Sequence, residues 1–502
     1  MDLLSIIADL FTPGHLAVML IGVVAGLCIG SLPGLTSNLG VALLLPITFG
    51  MEPIAAMIML TSLYTSAIYG GSFSAILLHT PGTSASAATA IDGFALTQKG
   101  EFNKAIRIST FASVVGGVVS ALSLLLIAPP LSLLSLKFGP PEFVMLAMFG
   151  LTIIGTLASG NMVKGLISGA AGLAISTVGL DLESGFPRFA FGSTDLQGGI
   201  GFVPAVIGLF SLSQALLMCE DPHKTIQQVK VSGADPWRLF PTREEIRRIR
   251  ATVARSSLIG VFIGILPGAG GDIGSWTAYN EAKRFSRNDP DFGKGSIRGI
   301  AASETANNAT TGAAMVPLLT LGIPGSPTAA VLLGALIIHG LQPGRTLFTQ
   351  HAHFTYTVIF GFLLANVVMG FVGMALSRYM GIVARLPNSI LITVVIILSV
   401  VGSYSLGNNT YDVYTMLTFG LLGYLMRKSG FAPAPMVLGL ILGPLCEQGF
   451  RQSVILADGP VLLHILSSPI SLVLFALTAI SIVSAAYLER RRIQLARAAS
   501  ED

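Results

Sequence analysis

Long stretches of this 502-residue sequence carry almost no charged side chains. The runs 198–218, 354–376 and 461–486 are the clearest, and only 11% of all residues are Asp, Glu, Lys or Arg. Soluble domains carry about 25% charged residues. Because one helix needs about 20 consecutive apolar residues to cross a bilayer, the sequence predicts an all-α polytopic membrane protein with about 11–12 membrane segments.

Lys and Arg cluster in the short stretches between these segments. Examples are Lys99–Arg107, Lys283–Arg287 and Arg490–Arg492, and the longest basic stretch lies between 224 and 255. Because positively charged loops favour the cytoplasm, their positions predict an N-terminus outside and a cytoplasmic C-terminus. The net charge of +4 is thus explained by orientation in a membrane. Lipid is an expected partner, and nucleic acid is not.

An extended polar stretch in the middle of the chain divides it into two parts. We predict a first transmembrane repeat over 1–219, a cytoplasmic linker over 220–255 and a second transmembrane repeat over 256–460. The remaining residues, 461–502, are predicted to form the last transmembrane helix and a cytoplasmic tail. The charged run that starts at Arg243 is interpreted as a short surface helix within the linker.

The two parts share a sequence pattern. Gly26–Gly34 and Gly260–Gly268 both read G-x-x-x-G-x-L-P-G. A second Pro-Gly motif follows in each part, at 81–82 and at 324–325. The positive residues give the first motifs of the two parts opposite orientations in the membrane. The chain is therefore predicted to contain two inverted repeats, an architecture found in many secondary transporters.

Each Pro-Gly motif is expected to break a membrane helix, because proline removes a backbone N–H and glycine permits positive φ. A broken helix is tolerated in a membrane only where protein or a wet cavity covers its free backbone groups. Only about a dozen residues separate Arg255 from Pro267, too few to span a bilayer, so we expect a re-entrant hairpin there. The free N–H groups at such a tip, backed by the helix dipole, attract anions such as carboxylates.

Hydroxyl and amide side chains crowd these tips, and the Pro-Gly motifs contain no Lys or Arg. Such groups can bind carboxylate oxygens without burying a fixed charge. A G-x-x-x-G pattern is also typical of a helix-packing face, and this alternative stays open for Gly22, Gly26 and Gly30. The predicted substrate-binding residues are Pro33, Gly34, Thr36, Ser37, Asn38, Thr80, Pro81, Gly82, Thr83, Ser84, Pro267, Gly268, Gly270, Asn307, Asn308, Pro324, Gly325 and Ser326.

Three acidic residues lie in or near the broken segments. Acidic residues at membrane depth are functional candidates by default, because burying a charge there is costly. We predict that Asp272, Glu304 and Asp92 take part in coupling to Na⁺ or H⁺, with a helix cap as the alternative for Asp92. The three cysteines lie far apart, at 28, 219 and 446, so no metal site is expected, and no cofactor other than a coupling ion.

At these motifs the chain resembles the large membrane subunit of the tripartite tricarboxylate transporter family, and the resemblance covers nearly the whole chain. The family signature G-x-x-x-G-x-x-P-G-x-G is complete from Gly260 to Gly270, whereas Thr36 replaces its last glycine in the first part. Other similar stretches are Tyr69–Ser72, Pro81-Gly82, Asp92-Gly93, Glu304–Asn308 and Leu321–Gly325.

This resemblance implies the substrate-translocating subunit of a binding-protein-dependent secondary transporter for tri- or dicarboxylates in the inner membrane of a bacterium. A periplasmic solute-binding protein would deliver the carboxylate, a small membrane subunit would pair with this chain, and a Na⁺ or H⁺ gradient would drive uptake. The resemblance also suggests an elevator-like movement of the Pro-Gly elements against the other helices.

A carboxylate channel and a membrane-embedded enzyme are the alternatives. A hydrolase needs a nucleophile–base set or metal ligands, and the sequence contains no H-E-x-x-H motif. It also contains no P-loop for ATP. The sequence therefore does not predict an enzyme, and it leaves the channel open.

Overall fold

The computed structural model describes residues 3–32, 35–134, 137–157, 162–181, 184–221, 240–266, 270–286, 289–383, 387–480 and 482–483. Within these ranges the chain is almost entirely helical, as predicted. The helices of the first part are α1 (Leu3–Leu10), α2 (Pro13–Ser31), α3 (Ser37–Leu44), α4 (Pro53–Leu78), α5 (Ala87–Gln98), α6 (Phe102–Leu134), α7 (Pro140–Leu157), α8 (Met162–Ser176), α9 (Thr194–Gln197), α10 (Phe202–Ile207) and α11 (Ser213–Met218).

The remaining helices are also joined by short connections. They are α12 (Arg243–Ile265), α13 (Gly270–Phe285), α14 (Ile297–Leu321), α15 (Pro327–Ile338), α16 (Arg345–Thr349), α17 (Ala352–Val383), α18 (Asn388–Gly407), α19 (Thr410–Lys428), α20 (Pro433–Leu456), α21 (Val461–Ile465) and α22 (Pro469–Ile480). A π-helical stretch, Gly208–Leu212, joins α10 to α11, and 3₁₀ turns lie at Leu45–Gly50 and Ser84–Ser86. Strands β1 (Gly179–Leu180) and β2 (Pro187–Arg188) pair antiparallel.

Five of the described helices are long and apolar enough to cross a membrane: α2, α4, α6, α17 and α18. Shorter apolar helices accompany them, among them α8, α15 and α22. A helix rises 1.5 Å per residue, so these shorter helices do not reach across a hydrocarbon core of about 30 Å. The helices support a multi-pass membrane protein, and the finer number of about 11–12 segments stays a prediction.

Contacts divide the chain into two compact units. Unit 1 comprises 1–132 and 214–406, and unit 2 comprises 133–213 and 407–502. The two described Pro-Gly motifs, at 81–82 and 324–325, lie in unit 1, and so do the helices on either side of the other two. The domain boundaries predicted at 219, 255 and 460 were placed by the sequence repeat, whereas these units are defined by contacts between residues. The predicted boundaries stay a prediction.

The charged run that starts at Arg243 opens a long helix instead of forming a separate short one. Thr242 caps this helix: its hydroxyl accepts from the Glu245 N–H at 3.2 Å, and the Glu245 carboxylate accepts from the Thr242 N–H at 2.7 Å. This reciprocal capping box starts α12, which then continues for 23 residues to Ile265. The predicted surface helix is therefore the first part of α12, because nothing in the sequence interrupts the helix before the third Pro-Gly motif.

The internal repeat extends from the sequence to helix packing. Helix α2 packs on α4, and α12 packs on α14. A Cβ at Gly26 would lie 2.5 Å from the Leu63 carbonyl oxygen, and a Cβ at Gly260 would lie 2.5 Å from the Ala306 carbonyl oxygen. Leu63 and Ala306 precede the second proline of their part by the same number of residues. The glycines are thus helix-packing positions in both parts, and this is the alternative that the sequence left open for the G-x-x-x-G pattern.

Ion pairs join the strand pair of unit 2 to α20. Arg451 donates to both oxygens of Asp181, at 3.1 and 2.5 Å, and its Nη2 lies 2.7 Å from Glu447 Oε1. Arg188 on β2 donates to both oxygens of Glu447. Among the described residues, two guanidinium groups and two carboxylates therefore form one network, which holds the strand pair against the helix.

Replacing Arg451 by alanine is expected to lower the free energy of unfolding by about 1–2 kcal/mol, because Asp181, only 5% exposed at its side chain, loses two charged hydrogen bonds. Partial exposure of Arg451 keeps the effect below that of a fully buried pair. SDS titration of the purified protein measures the change. Arg248→Ala is the control, because its ion pair with Glu244 is exposed. Equal losses in the two variants would contradict a stabilising role for the network.

Candidate functional site

The four Pro-Gly motifs lie between consecutive helices of unit 1. The first lies between α2 and α3, the second between α4 and the 3₁₀ turn before α5, the third between α12 and α13, and the fourth between α14 and α15. A helix therefore ends before each motif, as the sequence predicts. Four of the predicted site residues lie outside the described ranges: Pro33, Gly34, Pro267 and Gly268.

The second motif of each part makes the same backbone contact with its preceding helix. The Gly82 N–H donates to the Gly71 carbonyl, and the Gly325 N–H donates to the Ala314 carbonyl, each at 3.2 Å. The two acceptors stand at equivalent positions, one on α4 and one on α14. Each Pro-Gly turn is thus folded back onto its own helix, which fixes where the next helix begins.

Side-chain hydrogen bonds pair the tips of one part with the tips of the other. Ser37, at the start of α3, bonds through its hydroxyl to the Thr328 hydroxyl at the start of α15, at 2.8 Å. Ser84 donates to Asp272 Oδ2, in the first turn of α13, at 2.7 Å. The first tip of each part therefore meets the second tip of the other part. We call these two contacts the crossed tip pairs.

Two asparagines of α14 bury amide groups, and Asn307 lies against one crossed tip pair. Asn307 is fully buried, and its amide oxygen and nitrogen have no hydrogen-bond partner among the described residues. A Cβ at Gly271, at the start of α13, would lie 2.5 Å from Asn307 Oδ1, so this amide lies against the tip. Asn308 donates to the Glu304 carbonyl at 3.2 Å, while its own amide oxygen finds no partner there. Because buried polar groups are normally paired, these unpaired atoms are consistent with the predicted substrate-binding role of Asn307 and Asn308, which stays a prediction.

Tyr64 on α4 occupies the position that corresponds to Asn307 on α14, counted back from the second proline. Its hydroxyl lies 3.1 Å from the Ser326 hydroxyl, at the start of α15. Ser326 in turn accepts from the Ala329 N–H at 3.1 Å and so caps α15. Tyr64 and Asn307 thus approach the two crossed tip pairs from equivalent positions. The sequence motifs did not identify Tyr64. It could have been found only by aligning the two repeats, which places it opposite Asn307.

Asp92 on α5 binds a backbone loop. Its buried carboxylate accepts from the N–H groups of Gly293, Gly295 and Ser296, at 2.8, 2.9 and 2.9 Å, and from the Tyr279 hydroxyl at 2.9 Å. Ser296 is the residue that caps α14. Asp92 therefore stabilises the approach to α14, a geometry close to the cap that the sequence left as its alternative. Its coupling role stays a prediction.

Asp272 and Glu304 have different surroundings. Asp272 lies in a crossed tip pair, where Ser84 is exposed. Glu304 lies in the first third of α14, completely buried, and accepts hydrogen bonds from the hydroxyls of Thr89 and Ser113. The motifs did not predict these two hydroxyl residues. The signal that could have found Ser113 is its four-residue spacing from Ser109 on one face of the apolar helix α6.

A helical, largely apolar chain with broken helices that bury hydroxyl, amide and acidic groups has the properties of a membrane transport protein. The chain belongs to the tripartite tricarboxylate transporter TctA family, whose sequence model matches residues 16–438. It is therefore a multi-pass membrane subunit of a tricarboxylate transporter that works with partner subunits, as the resemblance implied. A transporter family is consistent with the expectation that the chain is not an enzyme.

Two proteins of Agrobacterium vitis are similar to this chain. The uncharacterized 52.8 kDa protein in the TAR-I ttuC' 3' region is 35% identical over 480 residues, which cover 95% of each chain. The uncharacterized protein in the TAR-II ttuC' 3' region is 34% identical over 226 residues, which cover 45% of this chain and 93% of that protein. No solved structure matches the chain.

Proposed function

We propose that this chain is the substrate-translocating subunit of a binding-protein-dependent secondary transporter, which imports tri- or dicarboxylates in symport with Na⁺ or H⁺. The membrane is the inner membrane of a bacterium, with the N-terminus outside and the C-terminus in the cytoplasm. A periplasmic solute-binding protein delivers the substrate, and a small membrane subunit pairs with this chain. The observation that carries the proposal is the meeting of four helix starts in two crossed tip pairs.

The crossed tip pairs have the chemistry that a carboxylate needs. The starts of α13 and α15 supply the positive ends of helix dipoles, worth about 0.3–1 kcal/mol each and more when partly buried. One hydroxyl proton of the Ser37–Thr328 pair and the unpaired amide nitrogen of Asn307 supply further donors. The Pro-Gly motifs contain no Lys or Arg. A co-bound cation therefore balances the substrate charge that the dipoles leave.

The fold supports movement of the tips as one body. We propose two inverted repeats with re-entrant hairpins, in which α2 and α12 are held against α4 and α14 by the glycine contacts. The crossed tip pairs connect these two close-packed helix pairs. An elevator-like displacement of this assembly would carry the carboxylate across the membrane without opening a continuous pore.

Uptake of labelled citrate into proteoliposomes that contain this chain and its partner subunits tests the proposal. We expect uptake to require an inward Na⁺ or H⁺ gradient. Asp272→Asn should lower the initial rate about tenfold, because it weakens one charged hydrogen bond worth about 1.5 kcal/mol at the tips. Asp195→Asn is the matched control, because Asp195 is an exposed residue of unit 2.

Three results would count against the proposal. Uptake that follows the citrate gradient alone, with no response to Na⁺ or pH, would favour the carboxylate channel. Equal initial uptake rates for Asp272→Asn and Asp195→Asn would mean that the crossed tip pairs are not needed for transport. Chemical change of the citrate during uptake would instead favour a membrane-embedded enzyme.

A further inference from the structure

A buried carboxylate without a charged partner lies in the first third of α14. The Glu304 side chain is 0% exposed, and within the described ranges no ion pair with Lys, Arg or His involves it. Moving a single charge from water into a protein interior is far more costly than burying a hydrogen-bonded polar group. Glu304 therefore needs a positive charge beside it, either a proton or a bound cation.

Hydroxyl groups from neighbouring helices surround this carboxylate. Thr89 on α5 donates to Oε1, and Ser113 on α6 donates to Oε2 at 2.9 Å. The Ser303 hydroxyl lies 2.7 Å from the Thr89 hydroxyl and extends the cluster along α14. Oxygen atoms from three helices thus face one another around Glu304.

Two further hydroxyls lie beside this carboxylate without a hydrogen bond of ordinary geometry. Ser72 on α4 and Ser109 on α6 are both fully buried and lie close to the Glu304 carboxylate. Neither hydroxyl forms a hydrogen bond of ordinary geometry among the described residues. Buried hydroxyls are normally paired, so these two oxygens are available to a ligand that the protein itself does not supply.

We propose that Glu304 and the hydroxyls of Ser72, Thr89, Ser109 and Ser113 bind a sodium ion. One carboxylate balances one positive charge, so a divalent ion would leave a net buried charge. Small hard cations take several oxygen ligands, and this cluster provides a carboxylate and four hydroxyls. A proton would neutralise Glu304 as well, but it would use none of the surrounding hydroxyl oxygens as ligands. Sodium satisfies both the charge and the free oxygens.

The sodium site is connected to the tips through two helices. Thr89 is in the first turn of α5, a few residues after Ser84 of the crossed tip pair. Asn307, whose amide lies against the start of α13, follows Glu304 by about one turn on α14. An ion at Glu304 would therefore hold α5 and α14 together directly behind the Ser84–Asp272 contact. The coupling of this ion to transport rests on the proposed function, whereas the site itself does not.

Binding of ²²Na⁺ to the full-length chain in lipid nanodiscs tests the site without requiring transport. We expect saturable binding at constant pH that unlabelled Na⁺ displaces and choline does not. Glu304→Gln should abolish it, because the amide keeps the shape but removes the charge. Thr89→Val and Ser113→Ala should each raise the dissociation constant at least about tenfold, because each removes one ligand oxygen. Ser123→Ala is the control, because Ser123 is on the same helix as Ser113 and bonds only within it.

Several outcomes would overturn the site. They are unchanged Na⁺ binding in Glu304→Gln, unchanged affinity in both hydroxyl variants, and no saturable Na⁺ binding to the wild-type chain. If Glu304→Gln does not fold, Thr89→Val and Ser113→Ala decide the question, because they keep the carboxylate. Sodium binding that depends on Glu304, together with citrate uptake that ignores the Na⁺ gradient, would support the site and remove sodium symport from the proposed function.

Discussion

Replacing Gly26 by valine is expected to prevent the correct packing of α2 on α4. Even the first carbon of a side chain at Gly26 would lie 2.5 Å from the Leu63 carbonyl oxygen and 2.9 Å from the Ser66 Cβ. A backbone carbonyl within a helix cannot rotate away, so the two helices must separate. Overpacking usually costs about 1–3 kcal/mol, and a β-branched side chain against backbone should cost at least about 3 kcal/mol here.

SDS titration of the purified variant measures this loss, and the amount of folded protein in the membrane gives a second measure. Gly14→Val is the control on the same helix, because a Cβ at Gly14 has no neighbour within 4 Å. Valine forms helix at least as well as glycine, so the control should stay near the wild type. Equal stability of Gly26→Val and Gly14→Val would contradict the close contact between α2 and α4.

The same substitution at Gly260 tests whether the repeat is physical. A Cβ at Gly260 meets the Ala306 carbonyl oxygen at the same 2.5 Å, and it also approaches the Ala309 Cβ at 2.6 Å. We therefore expect Gly260→Val to destabilise the protein as strongly as Gly26→Val. A large loss at one position and none at the other would mean that the two parts share a motif without sharing its packing.

The helix ends at the Pro-Gly motifs were predictable because proline and glycine act locally. Each motif interrupts a helix whatever surrounds it, and the second motifs make equivalent contacts, from Gly82 to Gly71 and from Gly325 to Ala314. The function of the G-x-x-x-G pattern was not predictable in this way. A row of glycines has the same sequence pattern whether it faces a helix, a lipid or a ligand. Only the positions of α4 and α14 in the structure show that these glycines face a helix.

The composition of the site was largely visible in the sequence, but its pairing was not. Ser37 and Ser84 belong to the predicted site, and both lie in crossed tip pairs. Their partners are 291 and 188 residues away, and no local pattern connects positions so distant. Thr328 was missed for this reason. The hydroxyls around Glu304 were missed because serine and threonine are common in apolar helices, where they bond to the preceding turn.

The sequence assigned one role to three acidic residues, and the structure gives them three surroundings. Asp272 lies at the tips, Glu304 lies among hydroxyls, and Asp92 binds backbone N–H groups. In the sequence, an acidic residue near a broken helix stands out in each case for the same reason, which is that burying its charge is costly. What compensates that cost depends on the partners, which come from other segments. Asp92 therefore offers a stability test that is independent of transport.

Replacing Asp92 by alanine is expected to lower the free energy of unfolding by about 3–5 kcal/mol. The substitution leaves the N–H groups of Gly293, Gly295 and Ser296 without their acceptor, in a region where Asp92 is fully buried. Hydrogen bonds to a charged group contribute about 1.5–3 kcal/mol each, and their losses overlap because they share one carboxylate. Tyr279→Phe removes a single hydrogen bond to this carboxylate and should cost about 1.5 kcal/mol.

Asp291→Ala provides the control for Asp92, because Asp291 is an exposed acidic residue in the same loop. It should change the free energy of unfolding by less than about 0.5 kcal/mol. Asp92→Asn should lie between alanine and the wild type, because the amide oxygen still accepts hydrogen bonds without the charge. The order Ala, Asn, wild type in SDS titration would identify Asp92 as the acceptor that fixes the loop before α14. Wild-type stability in Asp92→Ala with loss of ion-driven uptake would instead assign Asp92 to coupling, since a coupling residue is needed for transport but not for the fold.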